Sequence, residues 1–302
     1  MKIAIVGDPH ISTGFRARVD EYLRTVLNKI EQIAEENDKV IFLGDVFDAS
    51  SMSTYVFNTV YKLFKEYPNK LHTILGNHDM FHRNLSSLNR TTIGSLQLTD
   101  VLAIHTKEFE LGGLTFVPVL TDTPADDIPY DDGTAILLGH KYFEMLVCPE
   151  ESLEEEDIRR LNYKWVFLGH DHVPYEPKTI GNSVLYRPGS LTRTTTDLYN
   201  KDRAIRYYQI DTKDMTVTEK PVLCLPSDQV YLKGSFDKKD KPTYKVDSNS
   251  LTKLLAKFDR KSLKGMSLEE TLKRCGGSAE EVQYIRELHR MHTISYNSGE
   301  RS

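Results

Sequence analysis

The first two-thirds of the chain alternates short apolar runs with longer stretches of helical periodicity. Residues 2–8 (KIAIVGD) are apolar and β-branched and end on Gly-Asp, which predicts a buried strand. Over residues 16–36, Val19, Leu23, Val26, Ile30 and Ile33 recur at three- and four-residue spacing and predict an amphipathic helix. Residues 39–45 (KVIFLGD) predict a second strand. Val56, Val60, Leu63, Phe64 and Tyr67 predict a second helix, stopped by Pro68, and residues 71–77 (LHTILGN) a third strand. Residues 101–120 have the look of a hairpin turning at Gly112-Gly113. Residues 135–140 and 163–172 are two further strands. Between them, Ser152 and Glu155 form a capping box for a helix at 153–161. Strands at 184–189, 204–210 and 216–222 complete a β-rich second half. Such alternation is the pattern of an α/β layered fold.

Beyond residue 226 the pattern changes. Residues 226–245 are polar, Lys-rich and loop-like. Leu251, Leu254, Leu255 and Phe258 then share one helical face, and Ser267 with Glu270 and Ser278 with Glu281 form two more capping boxes. The expected organisation is a domain over 1–226, a linker over 227–249 and a small helical region over 250–302. That last region reads either as an appendage packed on the body or as a docking element for a partner.

Composition adds exclusions. No apolar run among the 302 residues approaches the roughly 20 needed to span a bilayer, and the N-terminus has no signal-peptide pattern. Three widely spaced cysteines with no CxxC argue against a disulfide framework or a thiolate zinc site, and for a cytoplasmic setting. The net charge of −5 announces no basic field, but it is unevenly spread. From residue 227 there are 15 basic and 11 acidic residues; before it, 24 and 33. An acidic body, net −9, carries a basic tail, net +4.

Chemistry concentrates where strands end. Asp8-Pro9-His10 follows the first strand, Gly44-Asp45-Val46-Phe47-Asp48 the second and Gly76-Asn77-His78-Asp79 the third. Gly139-His140 and Gly169-His170-Asp171-His172 close two later ones. Polar groups at the carboxyl ends of strands in an α/β sheet converge on one crevice. The glycine before most of them permits a tight exit and close backbone approach. A lone Asp-x-His is ordinarily a turn; five such endings, holding five of the ten histidines, are not. Imidazole, carboxylate and amide donors without thiolate suit ions such as Mn, Fe or Zn. They are too many for one tetrahedral ion, so two ions sharing a carboxylate are expected, the arrangement used for hydrolysis at phosphorus.

In this order, DxH, GDxxD, GNHD, GH and GHxH resemble the calcineurin-like metallophosphoesterase superfamily, with every metal-ligand position filled. The resemblance covers residues 8–172 and, with the later strands, about 1–225. It implies an α/β fold of two sheets packed as a sandwich, flanked by helices, with two divalent metals between them. It assigns Asp8, His10, Asp45 and His172 to one metal, and Asp45, Asn77, His140 and His170 to the other, Asp45 bridging. His78 would stabilise the transition state or protonate the leaving oxygen, Asp79 would orient it, and Asp48 would support a ligand from behind.

Within the superfamily, GDVFDAS and GNHD disfavour the protein phosphatases. The opening MKIAIVGDPHI and the segment YRPGSLTRTTTDLYNKDRAIRYYQID (186–211) are similar to the SbcD-type nuclease subunit of DNA double-strand-break repair, including its phage relatives. That implies a DNA exo- and endonuclease using manganese, with Mg, Fe or Zn as alternatives. The implied partner is an ABC-type coiled-coil ATPase docked on helices beyond the core, and a homodimer is also implied. Arg83, Arg90, Lys141, Arg187 and Arg193 are candidate phosphate contacts. The alternative function is a phosphodiesterase or phosphatase on small nucleotides.

Overall fold

The computed structural model of the chain describes residues 1–15, 17–145, 149–196 and 198–236. In chain order its principal elements begin with β1 (Lys2–Val6), α1 (Tyr22–Glu36), β2 (Lys39–Phe42), α2 (Thr54–Lys65) and β3 (Leu71–Thr73). There follow α3 (Thr92–Leu98), β4 (Ala103–Ile104), β5 (Phe109–Leu111), β6 (Leu114–Val119), β7 (Ile136–His140) and β8 (Tyr142–Phe143). Next come β9 (Ser152–Leu153), α4 (Glu155–Leu161), β10 (Trp165–Gly169), β11 (Tyr175–Ile180) and β12 (Ser183–Arg187). The series ends with β13 (Ile205–Asp211), β14 (Thr216–Val222) and α5 (Ser227–Val230).

Two mixed sheets of six strands result, ordered β14-β13-β1-β2-β3-β4 and β11-β12-β10-β7-β6-β5. β1 to β4 run parallel in the first, and β6, β7, β10 and β12 run parallel in the second. The two-residue period of a strand sorts side chains between layers. On β1, Ile3 and Ile5 face the second sheet and pack with Phe116, Ile136, Leu138 and Phe167. Ala4 and Val6 face the other way, onto Val26, Ile30 and Ile33 of α1 and Val56, Val60 and Phe64 of α2. Behind the second sheet, Leu137, Val166 and Leu168 cover Ile158 and Leu161 of α4. The layers are therefore helix, sheet, sheet, helix, as expected. No helix among the described residues is long and apolar enough to cross a membrane.

Several boundaries differ from the sequence expectation, each for a tertiary reason. α1 begins at Tyr22 rather than 16, because residues 17–19 are drawn into pairing with 230–232. Val19 N donates to Val230 O (2.9 Å) and Leu232 N to Ala17 O (3.0 Å), which leaves Val19 exposed and not on the core face. The same contacts carry the compact unit on to Phe236, so the first residues of the expected linker pack against the body, with Val230 and Tyr231 buried. Ala103–Ile104 pairs with β3, and the hairpin is confined to β5 and β6, where Gly112 and Gly113 at φ 63° and 76° form the turn. Ser152 enters a two-residue strand, and the cap of α4 is Glu154, whose amide donates to Asp157 (2.9 Å). The helices expected over 250–302 lie outside the described residues.

Candidate metal centre

The carboxyl ends of β1, β2 and β3 from one sheet meet those of β7 and β10 from the other. Asp8, His10, Asp45, Asn77, His140 and His170 are all at most 7% exposed. His10, Asp45 and His170 take positive φ (48°, 45° and 78°), a conformation that side-chain-bearing residues rarely adopt and that tertiary structure must enforce. At these three positions the chain turns sharply beyond its strand.

Asp45 is that centre. Its Oδ2 lies 3.2 Å from His140 Nε2, 3.9 Å from His10 Nε2 and 4.0 Å from His78 Nε2. His140 Nε2 is also 3.1 Å from Asn77 Oδ1, and its Nδ1 is 3.4 Å from Asp8 Oδ1. His10 and His172 bring their Nε2 atoms within 2.8 Å of each other. Each of the seven sequence-expected ligands thus lies close to another of the set. Among the described residues, two groups hold donor atoms all within 4.8 Å of one another: Asp45, His140 and His170, and His10, Asp48 and His78. Beside His10, the second draws in Asp48 and His78 where the resemblance names Asp8, Asp45 and His172.

Electrostatics show what this arrangement requires. Burial pushes the Asp8 carboxyl up to about 6, with Asp45 adding to the rise and His140 resisting it. Burial would raise Asp45 too, yet His140 and His78 hold it well below the usual carboxylate range. Burial works against a charged His10 and His140, but Asp48, Asp45 and Asp8 lift His10 to about 9, and Asp45 and Asp8 lift His140 to about 10. The buried carboxylates thus favour positive charge at His10 and His140, while burial pushes His170 and His172 down. Asp8 Oδ1 nevertheless has no hydrogen-bond partner. An orphaned buried carboxylate oxygen, facing imidazole nitrogens and surplus carboxylate fit divalent cations of the oxygen- and nitrogen-binding kind.

The supporting contacts fix ring orientation. Asp48 Oδ1 sits 3.4 Å from His10 Nδ1, behind the ring. His170 Nε2 is 3.0 Å from Glu151 Oε2. Burial would raise the Glu151 carboxyl, but His170 and Arg83 hold it down at about 2, so it is ionised and only accepts. The His170 proton therefore sits on Nε2, leaving the Nδ1 lone pair free for a metal. Nothing in the sequence pointed to Glu151, 19 residues from its partner in a segment without periodicity.

His78 is less buried than Asp45 and His140, its side chain 19% exposed against 2% and 0%. Its Nδ1 lies 2.6 Å from the carbonyl of Asp48, which fixes that nitrogen as a donor. Asp79 does not orient it. The Asp79 carboxylate is buried and accepts from Val46 N (3.1 Å) and Gly76 N (2.9 Å), tying the β2 and β3 exits together.

The loop after β12 belongs to the site through its backbone. Ser190 N donates to His172 O, and Leu191 N to the carbonyls of Gly7 and Asp8. Buried cations hold this loop: Arg203 donates to Ser190 O (3.1 Å) and Thr192 O (2.7 Å), and Lys29 Nζ to Leu191 O (3.1 Å). Tyr22 Oη joins it to the first motif, donating to His10 O (3.0 Å) and meeting Thr192 Oγ1 (2.7 Å).

The basic candidates separate. Arg193 is 3% exposed and spends its guanidinium on Ser227 Oγ and Leu225 O, which removes it as a phosphate contact. Lys141 is buried with Nζ on Thr121 O (2.6 Å). Arg187 stacks on the Tyr175 ring (3.7 Å). Arg83 is bound by Glu151 (2.6 Å) and Asp122 (3.0 Å), and Arg90 is exposed.

Among known proteins, the family model of the calcineurin-like phosphoesterases matches residues 1–174. No curated protein matches the sequence significantly. Among solved structures, an archaeal phosphodiesterase is similar at 17% identity and a TM-score of 0.42, covering 74% of this chain and 100% of its own. The family match spans every motif of the centre, and the chain belongs to the calcineurin-like phosphoesterases, metal-dependent enzymes of phosphoester hydrolysis.

Proposed function

We propose that the chain is a two-metal phosphodiesterase that cleaves DNA, as the nuclease subunit of a recombination or repair complex. The observation that carries the phosphodiester reading is the gathering of metal-suited donors around one buried carboxylate, Asp45, with a further imidazole, His78, on the more open side. DNA as the substrate is supported by the likeness of residues 1–11 and 186–211 to SbcD-type subunits. The Pro188-Gly189-Ser190 turn within that segment leads directly into the backbone bonds to His172, Gly7 and Asp8.

Asp8, His10, Asp45 and His172 would hold one ion, and Asp45, Asn77, His140 and His170 the other. Two divalent ions, manganese foremost, would supply charge that neutralises phosphate and makes a water nucleophile more acidic. The chain's own contribution is orientation and a proton. Asp48 and Glu151 fix His10 and His170, and burial of the donors excludes bulk water. His78 keeps Nδ1–H on the Asp48 carbonyl and turns Nε2 towards the Asp45 side, where it would serve as donor to a phosphate oxygen or the departing alkoxide. On this reading, an ABC-type coiled-coil ATPase docks on residues 250–302, and two copies pair through the exposed sides of the first helices.

The test is incubation of the Mn-loaded full chain with linear duplex and single-stranded DNA, alone and with its ATPase. Degradation is expected. Turnover of small phosphodiesters with DNA untouched in both conditions would instead assign a small-nucleotide phosphodiesterase or phosphatase.

A further inference from the structure

Beside Asn77 a pocket of about 210 Å³ opens between the turn after β3 and the segment after β6. Its apolar walls are Met80 and Leu120, its polar edge is Thr121 and Asp122, and Arg83 closes one side. Sites that take a whole drug-sized molecule begin at roughly 300 Å³, so this one takes part of a ligand whose remainder lies elsewhere. Asn77 places the remainder: it is both a wall of the pocket and a neighbour of His140 in the metal centre.

Charge says what the part is. Arg83 is matched by Asp122 and Glu151, and Lys141, whose Nζ holds the Thr121 carbonyl, adds its charge to theirs, so two cations face two carboxylates. A second phosphate finds no uncompensated positive charge here. Thr121 Oγ1 is buried without a hydrogen-bond partner, a cost that a ligand donor or acceptor removes. Apolar walls with a hydrogen-bonding edge, and no net charge, suit a flat, neutral, polar-edged ring. His82 and Arg83 take positive φ in succession (49° and 56°), an uncommon backbone, and two carboxylates hold the Arg83 guanidinium.

We propose that this pocket binds the nucleobase adjoining the phosphate held at the metal centre, its faces against Met80 and Leu120 and its edge on Thr121 and Asp122. The proposal rests on the nucleic-acid reading above and makes the enzyme selective for nucleotide over simple phosphate esters.

Binding of deoxynucleoside 5′-monophosphates and of inorganic phosphate to the Mn-loaded full chain tests it by calorimetry. The nucleotide should bind about tenfold or more tightly than phosphate, the scale of one base stacked on a protein surface. Leu120→Trp, which fills the pocket, should bring that ratio towards one, and Thr121→Val should lower it severalfold. Metal content and thermal midpoint show that each variant is folded; should Leu120→Trp fail to fold, Thr121→Val and Met80→Ala carry the test. Equal affinities in the unsubstituted chain, or a ratio that survives these substitutions, overturn the proposal. DNA left intact while the nucleotide preference holds removes the nuclease reading and leaves the pocket. DNA cleavage without the preference does the reverse.

Discussion

At the scale of single residues, the site depends on contacts too close for ordinary side chains. A Cβ on Gly76 would stand 2.1 Å from Asp45 Oδ1 and 2.4 Å from Asp45 N. Glycine is there because two strand ends nearly touch, a different reason from the approach to a ligand that the sequence reading gave it. Gly76→Ala should displace the carboxylate shared by both proposed ion sites, so metal analysis should find bound ions lost although most of the chain remains folded. His78 and Asp79, adjacent in sequence, should separate in their effects. His78→Ala should keep its metal while kcat falls about 10²–10³-fold, as when one transition-state donor is removed. Asp79→Ala leaves two buried amides unpaired, so its main effect should be a stability loss of about 1–3 kcal/mol per unpaired group, seen in denaturant titration.

At the scale of elements, β3 and the end of β4 are joined by a second histidine pair. His72 Nδ1 and His105 Nε2 lie 3.0 Å apart, and His105 stacks on Phe109. Burial pushes both rings down to about 4, with His105 and Lys39 adding to the effect at His72. The folded state therefore holds them neutral, while the unfolded chain takes up protons below about 6.5. Stability from this pair is complete above pH 6.5 and is lost as pH falls towards 4. Unfolding free energies at pH 7 and pH 5 should differ less in His72→Gln and His105→Gln than in the unsubstituted chain. An equal difference would mean that the pair does not titrate on unfolding. The elements also divide by how far the sequence revealed them. β1, β2, β3, β7 and β10 were legible because strands buried on both faces read as unbroken apolar runs, and the ligands were legible because each run stops on Gly and then on a metal-suited side chain. β11 was not, because Tyr175–Ile180 is an edge strand, mostly exposed, with Pro177 inside it. The start of α1 and the role of Glu151 were hidden for another reason: both are set by partners distant in the chain.

At the scale of the whole molecule, the layer between the sheets sets the spacing of the two half-sites. Phe116, on a strand that carries no ligand, is buried in that layer, whereas Ile30 is buried between α1 and the first sheet. Phe116→Ala and Ile30→Ala should both cost about 2–5 kcal/mol in stability. Only the first should also weaken metal affinity, measured by titration at a temperature where both variants remain folded. Equal metal affinities would show that sheet spacing is set elsewhere.

Asp8, His10, Asp45 and Asn77 come from one sheet, and His140, His170 and His172 from the other, so no ion can be held by the full set until both sheets have docked. A cation that binds only the finished arrangement stabilises by mass action and is absent while the chain is still assembling. It acts as a latch, closing after folding and resisting opening. Stopped-flow traces should show chelation with EDTA accelerating unfolding several-fold while the refolding rate stays unchanged. The protein's persistence at a given temperature then follows the metal supply of its surroundings, through the same carboxylates that make it an enzyme.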